Sequence, residues 1–136
     1  MELIKDGVSH EIPDVDVSDV KIPGIDVESI DSLYSGEMDI YIPVLQSFVS
    51  SIPEAVNKLR NVSAETLHDY AVTVHGLKGS CANIGADVIK EKAYALEMKS
   101  KAGDLAAVLA QNEELIKDSE KLISDICAWL DGLLKK

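Results

Sequence analysis

The chain has 136 residues, 24 of them acidic against 13 basic, and a formal net charge of −11. A surface of that sign repels a nucleic-acid backbone or an anionic membrane, and no Lys/Arg run occurs outside the final Lys135-Lys136 pair. Hydrophobic residues make up 46%, yet the aromatics are only one Trp, four Tyr and one Phe. The core must therefore be mostly Leu, Ile, Val and Ala, a mixture that suits packed helices in one domain.

Residues 1–24 read as an extended N-terminal arm or linker, and residues 25–136 as a helical domain. In the arm, Ile12-Pro13-Asp14-Val15-Asp16-Val17-Ser18-Asp19-Val20 alternates valine with acidic or polar residues and is followed by Pro23-Gly24. Alternation favours a strand, but a lone strand has no partner for its hydrogen bonds, so an arm laying its valines on the domain is expected.

From Asp26 onward the signals are helical. A short helix is predicted over Val27 to Ser35, with Asp26 as N-cap and Gly36 ending it. The next pattern starts near Met38 and carries Ile40, Tyr41, Val44, Leu45, Phe48 and Val49 at three- and four-residue spacings. Ser51-Ile52-Pro53-Glu54 fits a capping box with proline in the first turn, which predicts a new or kinked helix there. Ser63 is expected to cap the following helix, which stops at Gly85. Asp87 to Ala102 is helical, closed by Gly103, and Asp104 caps a last helix running near the C-terminus. That helix carries a stripe of Leu105, Val108, Leu109, Leu115, Ile116, Leu122, Ile123, Ile126, Trp129, Leu130 and Leu133, read as core. Short connections favour antiparallel neighbours. The expected fold is all-α: an up-and-down antiparallel four-helix bundle with a short additional N-terminal helix.

No apolar run is long enough to span a bilayer and no signal peptide is visible, so a cytoplasmic protein without membrane insertion is expected. Cys81 and Cys127 lack a Cys-x-x-Cys spacing. A disulfide stays open, and buried free thiols in a reducing compartment are the simpler reading.

The chemistry concentrates in Thr73-Val74-His75-Gly76-Leu77-Lys78-Gly79-Ser80. Two glycines in mid-helix each cost roughly 1 kcal/mol relative to alanine, so the positions invite an explanation. On a helical wheel counted from Leu67, Leu67, Tyr70, Ala71, Val74, Leu77, Cys81 and Ile84 centre near about 325°, while His75 falls near about 80°. His75 therefore faces solvent or the boundary. Its neighbours are Ala71, Val72, Lys78, Gly79 and Ala82, mostly small where an exposed face usually carries long charged side chains. A neutral imidazole is a good nucleophile, and its ordinary pKa leaves much of it neutral near pH 7. A lysine one turn away can stabilise an anion arriving on the ring. The combination suits a histidine that accepts a phosphoryl group from a large partner.

His-x-Leu-Lys-Gly-Ser followed by Asn83-Ile84-Gly85-Ala86 resembles the signature of histidine-containing phosphotransfer (HPt) domains. Ile22-Pro23-Gly24-Ile25-Asp26, the stretch from Tyr41 to Phe48, and Ala93-Tyr94-Ala95-Leu96-Glu97 are also similar to the family pattern. The resemblance covers about residues 22 to 134. It implies a carrier of phosphoryl groups between aspartates of receiver domains in two-component phosphorelays. By that resemblance His75 is the phosphoacceptor through an outward Nε2, Lys78 neutralises phosphoryl charge, and Gly79 clears space for the receiver's loops. Gly85 ends or bends the helix. Gly76 departs from the pattern, which usually has a side chain there. The implied partners are response-regulator receivers and a hybrid histidine kinase. The Mg2+ ion is expected on the receiver, and no cofactor or nucleotide site of the chain's own. The docking surface is expected from Tyr41, Leu45 and Phe48 together with His68, Ala71, Val72 and Ala82, on a monomer.

Two other functions fit the same residues: the phosphoacceptor domain of a hybrid or chemotaxis-type histidine kinase, and a helical interaction module without phosphotransfer. Metal binding is disfavoured. His68 and His75 share a wheel direction but lie about 10 Å apart along the axis, and no Glu-x-x-His spacing occurs. His10 carries no signal. Gly79-Ser80 lacks the context of a nucleophile elbow, and no glycine-rich phosphate loop is present.

Overall fold

A computed structural model describes residues 15–134. Among these the chain is all-helical: a 3₁₀ turn at Val17–Asp19, then α1 (Val27–Tyr34), α2 (Met38–Lys58), α3 (Leu67–Ile84), α4 (Asp87–Lys101) and α5 (Leu105–Leu134). Helix α3 packs on α2 and α4, and α5 packs on the other sides of α2 and α4, so the four longer helices enclose one core. Tyr41, Ile42, Leu45, Leu59, Leu77, Ile84, Leu96, Leu115 and Ile126 are its largest fully buried apolar members.

Helix α1 begins as its sequence predicts, with the Asp26 carboxylate accepting from the Glu28 N–H. It ends at Ser35 and Gly36, both left-handed. Of the new or kinked helix expected at Ser51–Glu54, the new start is absent from α2. Helix α2 runs unbroken through Pro43 and Pro53, and Ser51 Oγ donates to the Ser47 carbonyl instead of capping a new start. Each proline removes one backbone donor, but Leu45, Phe48, Ile52 and Val56 continue one buried stripe across Pro53 without a phase change. Burial on that stripe outweighs the missing hydrogen bond.

Helix α3 starts at Leu67, later than Ser63. Thr66 Oγ1 accepts the Ser63 N–H, which closes a turn before the helix. Its end is held from two sides. Tyr34 and Tyr41 donate their hydroxyls to the carbonyls of Asn83 and Ile84, and the Asp26 N–H donates to the Gly85 carbonyl. Gly85 has φ +79°, and a Cβ there would stand 3.1 Å from the Asp26 carbonyl oxygen, so glycine is needed for both conformation and space. At the opposite end Asn112 of α5 accepts from Tyr70 Oη and donates to the Leu59 carbonyl, tying α3, α5 and the end of α2 together.

Asp104 accepts from the Ala107 N–H and opens α5, whose 30 residues extend about 45 Å. Leu109, expected in the core stripe, is exposed, and so is Cys127. Both cysteines are free, and burial pushes the Cys81 thiol up to about 12. His10 and the first part of the alternating run lie outside the described residues. The described remainder is packed. Val20 and Ile22 are buried in the core, and Trp129 Nε1 donates to the Asp19 carbonyl. Asp16 and Asp19 close the 3₁₀ turn by reciprocal side-chain caps, which replaces the extended conformation expected there.

Candidate functional site

His75 sits in the middle of α3 with its side chain 64% exposed, on the solvent side that the wheel assigns to it. Its Nδ1 lies 2.8 Å from Glu97 Oε2 on α4. Glu97 is 2% exposed. Its Oε1 accepts from Lys78 Nζ at 2.8 Å, and its Oε2 also accepts from Lys101 Nζ at 2.8 Å. A buried carboxylate is stable only when paired and hydrogen-bonded, and here two ammonium groups and an imidazole surround it. Lys101 first, then Lys78, with His75 adding to them, hold the Glu97 carboxyl down to about 2.

The tautomer follows from that ionisation. A deprotonated carboxylate only accepts, so the ring proton facing it must be on Nδ1. In the neutral imidazole the lone pair is then on Nε2, and the exposed side of the ring carries the nucleophilic atom. Glu97 thus orients the ring and fixes which of its nitrogens carries the proton. Lys78 is drawn toward α4, between Glu97 and the Tyr94 ring, whose centroid is 5.1 Å from its Nζ.

Both glycines of the motif are open. A Cβ at Gly76 or at Gly79 would meet nothing within 4 Å, so neither is required for packing inside the chain. Gly76 shares this openness with Gly79, although it turns further from His75.

The remaining expected site residues divide. Val72 is exposed, His68 is exposed and Ala82 is half-buried on the His75 side of α3, while Ala71 is buried under it. Tyr41, Leu45 and Phe48 are not on the surface. They point into the core, where Tyr41 also caps α3. The three- and four-residue spacing that singled them out is the spacing of a buried stripe. What α2 presents beside α3 is Pro43, Val44, Ser47 and Ser51, which form a shallow groove lined also by Phe48, Ser80, Asn83 and Ile84. On the other flank α4 exposes Tyr94 and Met98.

Glu97 and Lys101 are the residues that motif reasoning misses. A signal for Glu97 exists: it follows Ile89 and Ala93 at four-residue spacing, a carboxylate on the buried stripe of its helix. Among the described residues no cluster of three His, Cys, Asp or Glu side chains could hold a metal ion, and no helix is long and apolar enough to cross a membrane.

No curated protein and no solved structure matches the chain. A family model described as the Hpt domain matches residues 43–129. That span is more than half of the chain and contains His75, Lys78, Gly79 and Glu97. With its all-helical fold and an exposed imidazole oriented by a buried carboxylate, the chain belongs to the Hpt domain family, the histidine phosphotransfer domains of two-component systems.

Proposed function

We propose that this domain is a phosphorelay intermediate that accepts a phosphoryl group on His75 from a receiver-domain phospho-aspartate and passes it to an aspartate of another receiver. The observation that carries this reading is the Glu97–His75 Nδ1 contact on a ring that is otherwise exposed. In the forward step the Nε2 lone pair attacks phosphorus. An N–P bond forms as the P–O bond to the receiver's aspartate breaks, and the electron pair leaves on that carboxylate. The ring keeps its Nδ1 proton and acquires positive charge, which Glu97 stabilises across the 2.8 Å contact. Lys78, three residues on, offers its ammonium to the phosphoryl oxygens. Transfer to the next receiver is the same displacement in reverse, since imidazole phosphate and acyl phosphate are both high-energy species. The metal ion belongs to the receiver, and the domain contributes a placed nucleophile and a nearby cation.

The receiver docks over the open side of α3, where Gly79 presents bare backbone beside Val72 and Ala82, with His68 at the edge. Gly79 lets its active-site loops reach the ring.

Incubation with a phosphorylated receiver tests this. The chain should gain acid-labile, alkali-stable phosphate, and His75→Gln should abolish the label with an unchanged far-UV circular dichroism spectrum. Label that persists in the variant would refute the role of His75. Label that arrives only from a kinase and ATP, never from a receiver, would assign the domain as a kinase phosphoacceptor instead.

A further inference from the structure

Glu97 is shared unequally. Oε1 accepts Lys78, whereas Oε2 accepts both the His75 ring and Lys101. Lys101 lies one turn after Glu97 in the last turn of α4, and its side chain is 58% exposed. Among the described residues its ion pair is with Glu97 alone. An exposed i,i+4 lysine usually contributes little. Here its partner is buried, and withdrawing a cation from a buried anion has a larger effect than breaking a surface pair.

The demands on Lys78 make this second cation matter. To meet phosphoryl oxygens on Nε2, Lys78 must shift from the Nδ1 side of the ring, where it donates to Glu97 Oε1. Without Lys101, that movement would leave the imidazole as the only partner of a buried carboxylate. The carboxylate would then hold Lys78 back.

We propose that Lys101 is a positioning residue for phosphotransfer: it neutralises Glu97 from the solvent side, which frees Lys78 for the phosphoryl group while Glu97 keeps its contact with His75 Nδ1. The inference rests on the phosphotransfer reading of His75. The charged groups bonded to Glu97 are His75 and Lys78 from α3 and Lys101 from its own helix. Of these, Lys101 contributes most to the low pKa of the carboxyl.

The full chain can be tested with phosphoramidate, a small donor that needs no docking surface. Lys101→Met should slow phosphohistidine formation about three- to tenfold, up to the equivalent of one pKa unit, and Lys101→Arg should restore most of the rate. Adding Lys101→Met to Lys78→Ala should cost less than it costs the wild type, because the two lysines act through one carboxylate. If the wild type gains no label from phosphoramidate or from a receiver, the phosphotransfer reading fails and takes the inference with it. If the wild type is labelled and Lys101→Met matches its rate, Lys101 is only solvated and the inference alone is overturned. A slower Lys101→Met that costs the same in both backgrounds would show a general effect on α4, which also overturns it.

Discussion

Replacing Glu97 by Gln keeps the side-chain volume and removes the charge that faces His75 Nδ1. A hydrogen bond to a charged group contributes roughly 1.5–3 kcal/mol, so transfer to and from His75 should slow about 10- to 100-fold. Rapid-quench measurement of phosphotransfer checks this, and a rate within a factor of about two of wild type would show that ring orientation by packing suffices. The same variant carries a stability signature. The folded Glu97 carboxyl titrates near 2, below its ordinary 4.5, with Lys101 the main cause. A depressed carboxyl adds stability above its unfolded pKa and loses it as pH falls from about 4.5 toward 2. Wild-type Tm should therefore fall through that window, and Glu97→Gln should show a shallower decline in thermal melts.

At the scale of the element, α3 carries two glycines whose side-chain positions are empty. Helical propensity alone predicts that Gly76→Ala and Gly79→Ala each stabilise the fold by about 0.5–1 kcal/mol. Function should separate them. Gly79→Gln should raise or preserve Tm while slowing transfer from a receiver by tenfold or more, roughly 1.4 kcal/mol of lost approach, and Gly76→Ala should raise Tm with a much smaller kinetic effect. Stopped-flow transfer paired with thermal melts checks both. Equal slowing by both would extend the cleared face across Gly76; a drop in Tm for either would show that the open space is used for packing. Helix α3 was largely legible in the sequence, including the outward His75, because a 3.6-residue period needs only local information. Helix α2 was not: Ser51-Ile52-Pro53-Glu54 has the residues of a capping box, yet the buried stripe through Ile52 and Val56 keeps the helix continuous.

For the whole molecule, the segment before α1 is part of the core. Val20 and Ile22 are buried against the helices and Trp129 bonds the Asp19 carbonyl. Ile22→Ala should lower stability by about 2–4 kcal/mol, the usual range for deleting buried aliphatic groups. A chain starting at Ile25 should be weakened further. Urea denaturation measures both, and an Ile22→Ala midpoint equal to wild type would show the segment to be a passenger. Between α4 and α5, Lys92 pairs with both Glu114 and Asp118, a half-exposed link that adds register more than stability.

The sequence alone determined the helical class, the left-handed ends at Gly36, Gly85 and Gly103, and the outward face of His75, but neither the continuity of α2 nor the start of α3. What it did determine follows from periodicity and from single-residue conformational limits, which act over a few residues. Tertiary structure decided the rest. It placed Tyr41, Leu45 and Phe48 in the core, drew residues 15–24 onto the bundle, and set Glu97 against a histidine 22 residues earlier in the chain. A pattern shows which face of a helix is buried; only the packing of α3 on α4 brings a carboxylate within 2.8 Å of an imidazole and so fixes which ring nitrogen carries the proton.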